Sequence, residues 1–157
     1  MRVSDVMTGQ VESCRAEDPL DVPARIMRDQ GCGCIVVVDD LERAVALVTD
    51  RDICIRALAT MGSLHVSTVA DAMSPHLFTC SPDDTVAAAE GLMRKWHVRR
   101  LPVVDERGRP VGLLSLDDLA WAATRTSDLF DRRVTPSEVG ATLAEVAHPR
   151  VIVESSG

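Results

Sequence analysis

The chain has 157 residues, 46% of them apolar and 26% charged, with a net charge of −7. That length suits one domain of ordinary size that needs no disulfide or metal staples, and the acidic balance argues against nonspecific binding to nucleic acid or anionic lipid. No apolar run approaches the ~20 residues that span a bilayer, and the opening Met1-Arg2-Val3-Ser4-Asp5 lacks the apolar stretch of a secretory signal; a cytoplasmic protein without membrane contact is expected.

With two Trp, two Phe and no Tyr, the core must be built from Val, Leu, Ala, Ile and Met. Ser4 to Met7 forms a short polar-apolar opening, and Val11–Cys14 reads as a strand. Asp18-Pro19 announces a helix whose stripe is Leu20, Ala24 and Met27. Pro23 removes a backbone donor there, so this helix should start late or bend. The β-branched runs Cys34–Val38 and Val45–Val48 follow as strands, then a helix from Asp50 to about Met61, with Gly62 as its stop. The polar stretch Gly62–Ser67 joins this to a second unit. Ser67 is a good N-cap for the segment Thr68 to Met73, and Leu77–Cys80 reads as a strand. Pro82-Asp83-Asp84 announces the next helix, with Val86, Ala89, Met93 and Trp96 at helical spacing. Strands Leu101–Val104 and Val111–Leu114 flank the hairpin loop Asp105–Pro110, and a helix from Leu116 to about Arg125 closes the unit. In the tail, Thr135-Pro136-Ser137-Glu138 is a capping-box pattern leading into a helix over Val139–Val146, followed by a short strand or frayed end at Val151–Val153.

The two units are copies. At a constant offset of 66, Val3, Asp5 and Met7 fall on Val69, Asp71 and Met73; Cys14 falls on Cys80; Val37-Val38-Asp39 falls on Val103-Val104-Asp105. A gapless offset means one folding unit used twice. The expectation is an α/β (α+β) fold of two β-α-β-β-α repeats related by pseudo-twofold symmetry, with small mixed sheets packed against helices. Repeat 1 spans 1–62, repeat 2 spans 63–126, and 127–157 is an extension, helical in part. Paired clefts at the seam between such repeats are natural ligand sites.

Thr49-Asp50-Arg51-Asp52 and Ser115-Leu116-Asp117-Asp118 occupy matching strand-to-helix junctions. A hydroxyl residue followed three places later by Asp caps a helix start. The same geometry offers a hydroxyl and free N–H groups to phosphate, and an Asp that can accept hydrogen bonds from a ribose diol. Both readings stand at this point. The five cysteines are an odd count without a signal, which argues against a secreted disulfide framework. Cys14 and Cys80 sit where buried thiols act as small hydrophobes; Cys32-Gly33-Cys34 is the one close pair and the basis of an alternative thiol or metal sensor. His65, His76, His97 and His148 are scattered, and no catalytic constellation, Walker loop or metal-spaced His pair is present.

Together these motifs resemble a tandem pair of cystathionine β-synthase (CBS) domains, a Bateman module. The resemblance rests on Val3-Ser4-Asp5-Val6-Met7, Leu47-Val48-Thr49-Asp50-Arg51-Asp52-Ile53, Leu101-Pro102-Val103-Val104-Asp105 and Val111-Gly112-Leu113-Leu114-Ser115, and covers about residues 1–126. It is similar in particular to small stand-alone CBS pairs of the hypoxic response protein type. The resemblance implies a non-enzymatic regulatory module, with no required cofactor and no metal, that takes an adenosine-containing ligand between its repeats: AMP, ADP, ATP, NADH or S-adenosylmethionine. By the same resemblance Asp52 and Asp118 hold ribose, Thr49 and Ser115 lie near phosphate, and Arg51, His97, Arg99 and Arg100, with Pro102 beside them, complete the sites. It also implies a homodimer and a regulated protein partner. A structural dimerisation protein without ligand is the alternative. The repeats differ at Ala46 against Gly112, Val36 against Pro102, and Gly31-Cys32-Gly33-Cys34 against His97-Val98-Arg99-Arg100, so two unlike sites are expected.

Overall fold

The computed structural model describes residues 1–125 and 134–147. In chain order the elements are a 3-10 turn Val3–Asp5, β1 (Thr8–Gly9), β2 (Ser13–Arg15), α1 (Asp21–Gln30), β3 (Cys34–Val38), β4 (Ala44–Thr49) and α2 (Asp50–Ala59). A second 3-10 turn Val69–Asp71 then leads to α3 (Val86–Trp96), β5 (Arg100–Val104), β6 (Pro110–Ser115), α4 (Leu116–Arg125) and α5 (Pro136–Ala147). The strands form two three-stranded sheets, β2-β3-β4 and β1-β6-β5. Each mixes pairings or is completed from afar: β2 runs parallel to β3, while β1 lies antiparallel to β6 of the other repeat. Both hairpins carry an irregularity at the same place, between Val37 and Val38 and between Val103 and Val104.

The repeats exchange their opening segments. Val3 is fully buried in the core of repeat 2, beside Cys80, Val86, Met93 and Leu101. Val69 is fully buried in the core of repeat 1, with Cys14, Leu20, Ile35 and Val48. The backbone repeats the exchange bond for bond. Val3 N–H donates to Asp84 C=O and Val69 N–H to Asp18 C=O, both at 2.9 Å. Val86 N–H donates to Met1 C=O and Leu20 N–H to Ser67 C=O.

α1 begins one repeat position later than α3. Pro23 is its third residue, in the first turn, where backbone N–H groups have no intrahelical acceptor and its missing donor costs nothing. α1 ends at Gly31, left-handed at φ +64°; α3 ends at the matching His97, which adopts the same region at φ +53° without glycine's freedom.

Four sequence expectations shift. The strand expected at Val11–Cys14 forms at Ser13–Arg15 instead. Leu77–Cys80 makes only a single parallel bridge, Cys80 to Val103, because Leu77 and Phe78 turn into a cleft. Thr68, not Ser67, receives the cap at the second opening segment: its N–H donates to Asp71 Oδ2 at 2.8 Å, while Ser67 is buried and accepts from Arg56 Nε at 2.9 Å. Trp96 leaves the buried stripe of Val86, Ala89 and Met93; it stacks on Phe78, with ring centroids 4.4 Å apart.

In the tail, the Thr135–Glu138 box forms: Thr135 N–H donates to Glu138 Oε2 and Glu138 N–H to Thr135 Oγ1. α5 packs on α3 and α4, burying Val139 and Val146 with Val134 in the repeat 2 core. Buried Thr142 accepts from Arg94 Nη1 at 2.8 Å and lies 3.2 Å from Oε1 of buried Glu90. The expected segment Val151–Val153 lies outside the described residues. Among the described residues no helix is long and apolar enough to cross a membrane.

Candidate functional site

Two clefts open at the seam. The first, about 190 Å³, is lined from repeat 1 by Leu47, Thr49 and Asp52, and from repeat 2 by Ser74, His76, Leu77, Phe78, Val98, Arg99 and Arg100. The second, about 260 Å³, is lined by Leu113, Ser115 and Asp118 of repeat 2 and by Thr8, Gln10, Val11, Glu12, Cys32, Gly33 and Cys34 of repeat 1, with Gln30, Ile35, Val36 and Arg100 added. Every residue of the first cleft has its 66-residue counterpart in the second. The pseudo-twofold therefore relates the clefts side chain by side chain, and the difference between them is one of residue identity.

The capping box forms at both junctions. In the first cleft, Oδ2 of Asp52 accepts from the Thr49 N–H at 2.9 Å and the Thr49 hydroxyl at 2.6 Å, while Asp52 N–H donates back to Thr49 Oγ1 at 3.3 Å. Oδ1 of Asp52 accepts no hydrogen bond among the described residues. In the second cleft, Oδ2 of Asp118 accepts from Ser115 N–H at 2.8 Å and Ser115 Oγ at 2.5 Å, and Asp118 N–H donates to Ser115 Oγ at 3.1 Å. Here the Thr8 hydroxyl donates to Oδ1 at 3.2 Å. Each Asp thus caps its helix through Oδ2 while the residue lines a seam cleft.

Charge separates the two. The first cleft sets the guanidinium groups of Arg99 and Arg100 and the His76 imidazole against one carboxylate. The second sets the carboxylates of Glu12 and Asp118 against Arg100 alone. Of the nine residues singled out in the sequence, Thr49, Asp52, Arg99 and Arg100 meet in the first cleft; Ser115, Asp118 and again Arg100 meet in the second. Arg51, His97 and Pro102 line neither. Arg51 is exposed on the first turn of α2. His97 ends α3, and its Nδ1 lies 3.0 Å from Glu145 C=O on α5. Pro102 is buried in β5, its C=O accepting from Cys80 N–H. Sequence reasoning missed Thr8, Gln10, Glu12, Ser74, His76 and Phe78. Their equivalence at 66 residues, just past each opening segment, was the signal that could have found them.

The cysteines divide by burial. Cys14 and Cys80 are buried core thiols; burial first, and then the carboxylates of Asp18 and Asp84, pushes each up to about 12. Burial pushes the Cys34 thiol up to about 11, partly opposed by the positive charge of Arg100. Cys32 and Cys54 are exposed, and among the described residues no group of three metal-ligating side chains exists.

The CBS domain profile matches residues 3–58 and 69–124. The chain belongs to the CBS-domain family. It is 30% identical over 151 residues to the CBS domain-containing protein YhcV of Bacillus subtilis, covering 95% of this chain and 97% of that one. This CBS pair shares its fold with the CBS domain pair of MJ0100, solved with 5′-methylthioadenosine and S-adenosyl-L-methionine (TM-score 0.68, 23% identity, 77% of this chain and 94% of that one). It also shares it with CBSX2 of Arabidopsis thaliana, solved with AMP (TM-score 0.67, 23% identity, 81% and 98%). Two mixed α/β repeats about a pseudo-twofold, read from the sequence, are thus the fold of the family.

Proposed function

We propose that the chain is a non-enzymatic regulatory module that binds an adenosine-containing ligand in the clefts between its repeats and so alters a protein partner. The observation that carries this reading is the placement of Asp52 and Asp118. Each carboxylate holds its helix cap through Oδ2 and belongs to a residue lining a seam cleft, where a ribose diol could donate to it. The apolar walls, Leu47, Leu77 and Val98 in one cleft and Val11, Ile35 and Leu113 in the other, suit an adenine ring. The ligands bound by the MJ0100 pair and by CBSX2 are of this chemical class. The first cleft, with two guanidinium groups, suits a phosphate-bearing ligand such as AMP, ADP, ATP or NADH; the second, with two carboxylates, suits one without phosphate, such as S-adenosylmethionine. Arg99 and Arg100 would meet phosphate and Thr49 would lie beside it.

A bound ligand would touch both repeats and favour one arrangement of them, which is how it would act on a partner. A second copy of the chain would cover the exposed apolar face of α2 and its end, where Ile55, Leu58 and Met61 are 56%, 84% and 98% exposed. Free thiols suit a reducing, cytoplasmic setting. Calorimetric titration of ligand-free protein with AMP, ADP, ATP, NADH and S-adenosylmethionine tests the reading. Heat with at least one of them, abolished in the matching cleft by Asp52→Ala or Asp118→Ala, is expected. No heat with any would leave a structural dimerisation protein in which the capping boxes serve only as caps.

A further inference from the structure

One guanidinium stands between the two clefts. Arg100 opens β5, where it pairs with Ser115, and lines both the Asp52 cleft and the Asp118 cleft. Its pseudo-twofold counterpart is Cys34, so no second arginine restores the symmetry. Its path runs beside Gly33, the counterpart of Arg99. A Cβ placed on Gly33 would stand 3.5 Å from Arg100 Nη2 and 3.3 Å from Asp50 Oδ2. A larger side chain at this position would compete for the guanidinium's space. Among the described residues the Arg100 side chain has no hydrogen bond and no ion pair, although Asp50 is close by. It is a half-buried cation without a fixed partner.

A guanidinium carries its donors in one planar fork on a single stem, so turning the fork toward one anion turns it from another. We propose that Arg100 is a phosphate-recognition side chain shared between the clefts, able to serve one at a time, so that phosphate-bearing ligands bind the two clefts with negative coupling. Phosphate in the first cleft, where Arg99 assists, draws Arg100 there. The second cleft is then left with Glu12 and Asp118 unopposed, repels a second phosphate, and remains open to an uncharged or cationic adenosyl ligand. This proposal rests on the adenosine-ligand reading above.

The test is calorimetry with AMP and with adenosine. A charge-assisted hydrogen bond contributes about 1.5–3 kcal/mol, which corresponds to roughly 10–150-fold in affinity. AMP should therefore bind the wild type in a tight and a weak step. Asp52→Ala disables the first cleft and releases Arg100, so AMP should bind the second cleft at least ~10-fold more tightly than in the wild-type weak step. Adding Arg100→Gln should abolish that gain, and adenosine should show none. Arg100→Gln alone provides a check that does not depend on the weakened α2 cap: the tight step falls by ~10-fold or more while the weak step stays within about twofold. Equal losses at both steps, or no gain in Asp52→Ala, would overturn the sharing. Absence of AMP heat in the wild type would overturn the adenosine reading and the sharing with it.

Discussion

Gly112→Ala should detach one wall of the second cleft while sparing the first. At Gly112 the added Cβ would lie 2.6 Å from Met7 Sδ and 2.9 Å from the Thr8 carbonyl oxygen. The sulfur is the end of a flexible side chain and can swing away. The carbonyl cannot, because Thr8 and Gly9 are laddered to Leu113 and Gly112. β1 must therefore back away from β6, and overpacking of this kind costs about 1–3 kcal/mol. For a chain of this size that is a fall in Tm of roughly 2–12 °C. Displacing Thr8 also removes its 3.2 Å bond to Asp118 Oδ1, so ligand affinity should fall at the second cleft and hold at the first. The equivalent residue of repeat 1, Ala46, is buried with its Cβ in place, and the matching segment makes no strand there; Ser74 instead donates its N–H to Leu47 C=O at 2.8 Å and accepts from Leu47 N–H through Oγ at 3.1 Å. Thermal melting beside calorimetry checks both parts. An unchanged Tm with unchanged affinity at both clefts would refute the close-approach argument.

Three further outcomes are expected. Asp52→Ala and Asp118→Ala should each lower stability by about 1 kcal/mol through the lost cap, measured by urea unfolding, and each should weaken ligand binding at its own cleft. Glu90 is buried against Thr142, with Arg94 and Glu138 nearby, and burial holds its carboxyl above the usual range. Its folded form therefore binds a proton more readily than its unfolded form. Its ionisation subtracts stability at neutral pH, and that loss is recovered as pH falls through the raised pKa; Glu90→Gln should melt higher than wild type at pH 7, with the gap closing on acidification. Finally, a thiol reagent should modify Cys32 and Cys54 quickly in the native protein, and the buried Cys14, Cys34 and Cys80 only on unfolding.

The order and type of the elements were legible because each repeat carries its own periodicity and stop signals. Cys34–Val38 and Leu116–Arg125 fall where the residues place them, and α5 begins at the box anticipated from Thr135 to Glu138. The exchange of opening segments was not legible. Val3 and Val69 present the same apolar pattern to either core, and nothing local says which one each will enter. Leu77 and Phe78 have the composition of a strand but give their side chains to a cleft, a tertiary choice invisible to pattern. The Thr/Ser-x-x-Asp junctions were found from spacing, but that each forms its cap on the wall of a cleft needed geometry. Arg100 could be named a candidate for reaching across the seam; its place on both clefts needed the absence of a side chain at Gly33 to be seen in space.

The reciprocal burial of Val3 and Val69 bears on how the molecule comes apart. A cut near Gly62 would not release two domains. It would leave each fragment with a strand or turn whose proper bed lies in the other, and each core open where its borrowed valine belongs. Such fragments would be poorly folded apart and would reconstitute on mixing. The duplicated unit of sequence is therefore smaller than the unit of cooperativity, and the ligand proposed to grip both halves would act on a body already interlocked.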